Sequence, residues 1–302
     1  MTGQFPVLFD SGGVPLAGLL HAPEAGLAPG TPLVIVTGSW LTVKEQMPAV
    51  YARRLATAGY AALTFDFAGF GASGGSPRQV EMPTRKIGDI RGAADFVLRQ
   101  WGLSRPLGLL SICASAQYAL AALAAGAPIR AFASVAGWYH DAETVKAFYG
   151  GDQGVASRLA RAAAAAQALA AGESPRLVPA YADGDDRAGM FFPVDYYARP
   201  ERGAVATWRN EMDEMSWLHW LTFDGLGAAA RVSTPTLLVH GDGCVLPAHV
   251  RQVHDALQGP RQLAWVEGQQ TDFYDDPEHV DRALAHVLPW FADTLRGGPH
   301  AG

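Results

Sequence analysis

In the run Leu109-Leu110-Ser111-Ile112-Cys113-Ala114-Ser115-Ala116-Gln117-Tyr118-Ala119, a thiol lies where a short apolar segment passes directly into a helical pattern. A side chain presented on a sharp strand-to-helix turn needs small residues two places before and two after it, so that the backbone can fold back. Ser111 and Ser115 meet that requirement around Cys113, and Ala116 continues the small set. Moving the frame to make Ser115 the exposed residue puts Gln117 at a small position, where it fits badly. The N-terminus of the helix that follows points at the thiol, and its dipole and free N–H groups are expected to lower the thiol pKa. These features make Cys113 a candidate nucleophile. The competing reading is a small buried hydrophobe.

The elements that would hold this turn alternate along the chain. Leu8-Phe9 and Ala17-Gly18-Leu19-Leu20 flank Ser11-Gly12-Gly13, a hairpin signal. Apolar runs follow at Leu33–Val36, Ala61–Phe65, Leu107–Leu110 and Ala131–Val135, with helical stretches over 44–58, 86–101 and 115–125 between them. The pattern resumes with Thr236–Val239, a helix near 248–257, a strand at Gln262–Val266 and a helix over 277–295. Short apolar runs separated by helices imply buried parallel strands with crossovers. The expected fold is therefore α/β, a doubly wound, mostly parallel sheet. The alternation stops between Val135 and Thr236, where an Ala-rich helix (155–171), a Gly/Asp/Pro connector (172–193) and an aromatic piece around Trp208, Met212, Met215, Trp217 and Trp220 appear. That block reads as an inserted helical lid over residues 140–230, on a core formed by 1–139 and 231–302.

Composition narrows the function. Lys and Arg number 23 against 29 Asp and Glu, a net charge of −6, and no basic tract occurs, so nucleic acid and membrane surfaces are poor partners. Charged residues are only 17% of the chain, which leaves room for an apolar pocket or a homodimer interface. Two cysteines cannot form a disulfide framework and lack zinc spacing. The start Met1–Pro6 has no signal-peptide pattern and no apolar run is long enough to span a membrane, so the expected setting is cytoplasmic. The turn Asp66-Phe67-Ala68-Gly69-Phe70-Gly71 is not followed by a lysine at phosphate-loop spacing, which argues against nucleotide binding. Asp183, Asp185, Asp186 and Glu143 have no His partner at ligand spacing, so no metal and no cofactor is expected.

Several motifs together resemble the α/β-hydrolase superfamily, in particular its bacterial branch of dienelactone-hydrolase-like proteins. They are Val36-Thr37-Gly38-Ser39-Trp40 with Lys44-Glu45-Gln46, Phe65-Asp66-Phe67-Ala68-Gly69-Phe70-Gly71-Ala72-Ser73-Gly74, the turn at Cys113, and Val239-His240-Gly241-Asp242. A cysteine nucleophile is similar to what that branch uses. The resemblance implies an oxyanion hole formed by the backbone N–H of Ala114 and one from the Ser39-Trp40 loop. The family usually has a His where Thr37 stands.

The resemblance fails at the other two members of a triad. The position of the usual acid holds Cys244, with Asp242 two residues early as the nearest carboxylate. The usual histidine is replaced by Gln270, in Gln269-Gln270-Thr271-Asp272-Phe273-Tyr274. A side-chain amide does not titrate near neutrality and cannot act as a general base. One explanation is a substitute base: His140, oriented by Asp141, leads, with His240 and His219 behind it. A second is a carbonyl chemistry without an acyl-enzyme, such as cyclisation, elimination or isomerisation, with Gln270 positioning substrate or water. A third is a non-catalytic binding or scaffold protein. The leading expectation is a small-molecule hydrolase or acyl-transfer enzyme acting on an ester, lactone or thioester through Cys113. Trp208, Trp217 and Tyr118 are its candidate substrate-binding residues, although the first two also read as lid core. Tyr196-Tyr197 and Trp208-Arg209-Asn210 suit a pocket of moderate polarity.

Overall fold

The computed structural model describes residues 3–28, 30–102 and 106–296. Gly12 and Gly13 both take positive φ, 59° and 88°, in the two-residue turn that joins β1 (Gly3–Ser11) to β2 (Val14–Ala22). That backbone matches the twist of an antiparallel pair, which is why the Gly-Gly signal worked. The remaining strands of the large sheet are β3 (Leu33–Thr37), β4 (Ala61–Phe65), β5 (Leu107–Ile112), β6 (Ala131–Val135), β9 (Thr236–His240) and β10 (Arg261–Trp265). The helices that connect and cover them are α1 (Met47–Thr57), α2 (Pro83–Trp101), α3 (Ser115–Ala124), α7 (Pro247–Ala256), α8 (Asp272–Asp275) and α9 (Pro277–Leu295).

The spatial order is β1-β2-β4-β3-β5-β6-β9-β10, with β2 antiparallel to both of its neighbours, β1 and β4, and every other pair parallel. Every residue of β3 to β6 and of β9 is buried. This burial on both faces explains their continuous apolar sequences. The register lines up the carboxyl ends: Thr37 pairs with Ser111, Ile112 with Val135, Val135 with Val239, and His240 with Trp265. Five loops therefore leave the sheet side by side along one edge, which is where open α/β sheets bind ligands.

The segment between β6 and β9 carries a 3₁₀ turn (Thr144–Phe148), α4 (Gly151–Ala170), a two-residue strand β7 (Leu177–Val178) paired antiparallel with β8 (Met212–Asp213), α5 (Asp195–Ala198) and α6 (Ser216–Trp220). The pairing of β7 interrupts what the sequence presents as an open connector. Polar ties join the segment to the sheet loops: Gln46 Nε2 donates to the Gly203 carbonyl at 2.6 Å and the Asp213 N–H to that of Gln79 at 2.8 Å. Among the described residues no helix is long and apolar enough to cross a membrane.

Candidate active site

Cys113 has φ of 55°, in the left-handed region that a non-glycine residue enters at a cost of about 1–2 kcal/mol. The flanking small residues do more than make room. Ser115 Oγ donates to the Ile112 carbonyl at 3.2 Å and receives the Thr37 hydroxyl at 2.9 Å, so Ser111 must donate to Thr37 at 2.7 Å. Thr37, which stands where the resemblance leads one to expect a histidine, thus ties both flanks of the turn to β3. The end of β6 supports it from the other side: Cys113 N–H donates to the Val135 carbonyl at 3.2 Å and Trp138 N–H to the Cys113 carbonyl at 3.0 Å. A conformation strained in isolation is over-determined here.

The thiol is 5% exposed and opens on a cavity of about 480 Å³. Its wall includes the aromatic side chains of Trp40, Trp138, Tyr149, Tyr197, Trp220 and Tyr274. Phe192, Pro193, Asp195, Arg202 and Asp272 lie toward solvent. Around the sulfur stand the hydroxyls of Ser39 and Tyr274, the N–H of Ala114 and the amide of Gln270. Burial raises the Cys113 pKa above the ordinary thiol value, and the polar groups around the sulfur only partly oppose it. Burial of the thiol thus works against the lowering expected from the helix N-terminus.

Gln270 does not act as an imidazole would. Its Oε1 accepts the Val245 N–H at 3.1 Å, and its Nε2 donates to the Ala136 carbonyl at 2.8 Å and to the Tyr274 hydroxyl at 3.1 Å. Two backbone partners fix which end of the amide is which, and the loops after β6, β9 and β10 are stapled together. Because Tyr274 receives a hydrogen bond from Gln270, its own proton is free to point at the sulfur. Burial, first, pushes the Tyr274 pKa well above its usual value, so that proton stays in place. The side chain facing Cys113 from this quarter is thus a donor. Tyr51, donating to the Phe273 carbonyl at 2.7 Å, anchors α8, which presents Tyr274 one turn beyond Gln270.

The substitute bases are placed elsewhere. His140 is fully buried, accepts from Trp138 Nε1 at 2.7 Å on Nδ1, and so carries its proton on Nε2, bonded to the Trp220 carbonyl at 2.8 Å. Burial holds its pKa down to about 4, and its ring does not line the cavity. Both nitrogens are committed to holding the aromatic wall together. His240 packs against Trp265, bonds the Val245 carbonyl at 3.1 Å and is likewise lowered by burial to about 4. His219 does not reach the cavity either, and among the described residues no histidine lines it. Asp242 points outward with its side chain 83% exposed and accepts from Trp265 Nε1 at 3.1 Å, because the turn after β9 directs it to solvent. Cys244 is buried, which pushes its pKa up to about 12.

The three residues expected to bind substrate stand behind the wall. Leu41, with φ of 57°, has its N–H bonded to Glu81 Oε2 at 3.0 Å and its carbonyl to Trp208 Nε1 at 2.8 Å. Tyr118 donates to the other oxygen of Glu81 at 2.7 Å, and Lys86 neutralises that buried carboxylate at 2.7 Å. Trp217 packs on Trp40 and Tyr149, with ring centroids 5.7 and 4.9 Å away. Trp208, Tyr118 and Trp217 therefore set the position of the Ser39-Trp40 loop and its wall without lining the cavity. Among the described residues no other group accepts the backbone N–H of Trp40, and that of Ala114 meets only the sulfur. Two such N–H groups can hold negative charge developing on a carbonyl oxygen.

No protein-family model matches the chain. It is 25% identical over 267 residues to the uncharacterized protein YcjY of Escherichia coli (strain K12), covering 84% of this chain and 85% of that protein. A 120-residue stretch, 39% of this chain and 32% of the other, is 32% identical to the uncharacterized protein PA2218 of Pseudomonas aeruginosa. The crystal structure of PA2218 superposes with a TM-score of 0.82 at 23% identity over 97% of this chain and 94% of that one. The α/β hydrolase GrgF from Penicillium sp. sh18 gives 0.81 at 18% identity over 97% and 99%. Dienelactone hydrolase from Anabaena variabilis, at 14% identity over 98% and 99%, superposes less closely, at 0.59. The chain has the α/β-hydrolase fold.

Proposed function

We propose that this protein is an acyl-transfer or hydrolytic enzyme of small molecules that works through the Cys113 thiol, with thioesters as its preferred donors. The observation that carries the reading is a thiol on a strained turn, at the floor of an aromatic cavity, ringed by hydrogen-bond donors with no histidine among the lining residues. The carbonyl oxygen of the donor would sit on the N–H groups of Ala114 and Trp40, each worth about 3 kcal/mol to a developing oxyanion in a dry site. Attack forms the bond from Cys113 Sγ to the acyl carbon and breaks the bond to the leaving sulfur, which takes the thiol proton. Thiol and leaving group are then chemically alike, so the exchange needs no net base. An alkoxide or amine leaving group would need an acid that the site holds only weakly, since the Tyr274 proton is tightly retained. The segment over the cavity serves as a lid in this reading.

The raised thiol pKa favours a second reading, in which the donors polarise a substrate carbonyl and no acyl-enzyme forms. Intact-mass spectrometry with an S-benzoyl thioester of N-acetylcysteamine separates the two. Acyl transfer predicts one benzoyl adduct on Cys113, lost in Cys113→Ala and formed about tenfold more slowly in Tyr274→Phe, which removes one charge-assisted donor. No adduct on the intact protein, with turnover of a carbonyl substrate retained in Cys113→Ala, would establish the second reading.

A further inference from the structure

We propose that residues 192–203 form a strap that gates the cavity above Cys113, with the Arg202–Asp275 ion pair as its latch. Access to the floor of the cavity is tight. Cys113 is 5% exposed, Trp220 and Tyr274 are 1% and 2%, and Phe192 at the rim is 41%. An acyl group of more than a few atoms therefore reaches the sulfur only when part of the wall gives way. Most of the wall is fixed from behind: Gln270 ties three loops together, and His140 holds Trp138 and Trp220. The strap is different. Of residues 192–203 only Tyr196, Tyr197 and Gly203 are buried, and the one helix there, α5, has four residues. A segment with so few buried groups opens at lower cost than the core it covers.

Arg202 fastens the strap to the sheet side of the rim. Its Nε donates to Asp275 Oδ2 at 2.9 Å, and its Nη2 donates to Oδ1 of the same carboxylate and to the Thr271 carbonyl at 3.2 Å. Asp275 lies on α8, which also carries the cavity residues Asp272 and Tyr274. The two side chains are 25% and 19% exposed, so water reaches a forked pair that a buried clamp would seal off. The next residue supplies the pivot. The Gly203 carbonyl accepts Gln46 Nε2 at 2.6 Å, its N–H donates to the Tyr196 carbonyl at 2.8 Å, and a Cβ there would fall 2.2 Å from the Tyr196 ring. The latch also reaches the reacting centre. The Arg202 guanidinium lies 5.7 Å from the Tyr196 ring centroid, and Tyr196 meets Tyr274 edge-on with centroids 5.0 Å apart. Closing the strap thus packs the ring whose hydroxyl stands at the sulfur.

Two alkylating agents of different size test the latch, 2-chloroacetamide and 2-chloro-N-(1-naphthyl)acetamide. Each reacts with Cys113 by the same step: the bond from Sγ to carbon forms, chloride leaves, and the thiol proton passes to water. The rate is read by mass spectrometry as the adduct on the Cys113 peptide. Asp275 does not line the cavity, so Asp275→Asn removes the ion pair without widening the site. That variant should react about fivefold faster with the naphthyl reagent and within about twofold of wild type with 2-chloroacetamide. In the wild type, about 0.5 M sodium chloride should raise the naphthyl rate about twofold, an effect absent from Asp275→Asn. A naphthyl rate that is unchanged or slower in Asp275→Asn overturns the proposal, as does equal acceleration of both reagents. Alkylation needs no acyl-enzyme, so a benzoyl adduct without this size dependence refutes the latch alone. The size dependence without a benzoyl adduct refutes only the acyl-transfer reading.

Discussion

The two halves of the candidate site differ in what holds them. The half at the ends of β3 and β5 presents the Cys113 turn and the Ser39-Trp40 loop, and it is supported by a buried ionic group: Glu81 with Lys86, Tyr118 and the N–H of Leu41. The half at the ends of β9 and β10 is held by a neutral amide, Gln270, bonded to Val245, Ala136 and Tyr274. In the proposed reaction the first half would hold the oxyanion, while the second, whose amide does not titrate near neutrality, holds shape rather than moving protons.

The sharpest way to break the contrast is to remove one support from each half. Glu81→Ala leaves the Lys86 ammonium, 1% exposed, without its counter-ion, and should cost about 3–5 kcal/mol of stability. Gln270→Ala should cost only about 1–3 kcal/mol, as lost neutral hydrogen bonds. Urea denaturation of the two variants checks the order. Restoring proton transfer to the second half is the next test. Gln270→His together with Cys244→Asp should raise p-nitrophenyl ester hydrolysis about a hundredfold, the lower end of general acid–base contributions. An increase that depends on Cys113 would show that only the base was missing.

Acid tests the buried histidines directly. His140 and His240 are buried neutral with pKa values near 4, against 6.5 for an ordinary histidine. Unfolding lets each take up a proton between those values, so the folded state is fully favoured above about pH 6.5 and loses stability as pH falls toward 4. The loss should be on the order of 2 kcal/mol per histidine, seen as a falling urea midpoint between pH 7 and pH 4.5. If either ring were a working base with a pKa near neutrality, its share of that slope would vanish.

The alternation of apolar runs, the Gly12-Gly13 turn and the small residues around Cys113 were all legible, because each reports local backbone geometry or a residue's own burial. The same holds for the absence of histidine at 270. What could not be read was orientation. His140 lies next to Asp141 in sequence and near the turn in the fold, yet Trp138 and the Trp220 carbonyl claim both its nitrogens. Trp208 and Tyr118 have the composition of a pocket wall, but their polar ends reach Leu41 and Glu81 behind it. Met212 and Val178, in a stretch without periodicity, meet only because β7 and β8 pair across the insertion.

The sequence by itself determined that buried parallel strands would alternate with helices, that one of them would carry a thiol on a tight turn, and that the residue at 270 could not take a proton. Those are properties of residue type and spacing. Only the tertiary structure decided that the thiol would be raised by burial, that the facing group would be the Tyr274 donor, and that the candidate histidines would be spent on the wall. Such outcomes depend on solvent exclusion and on which distant partner occupies each lone pair, and no local pattern encodes either.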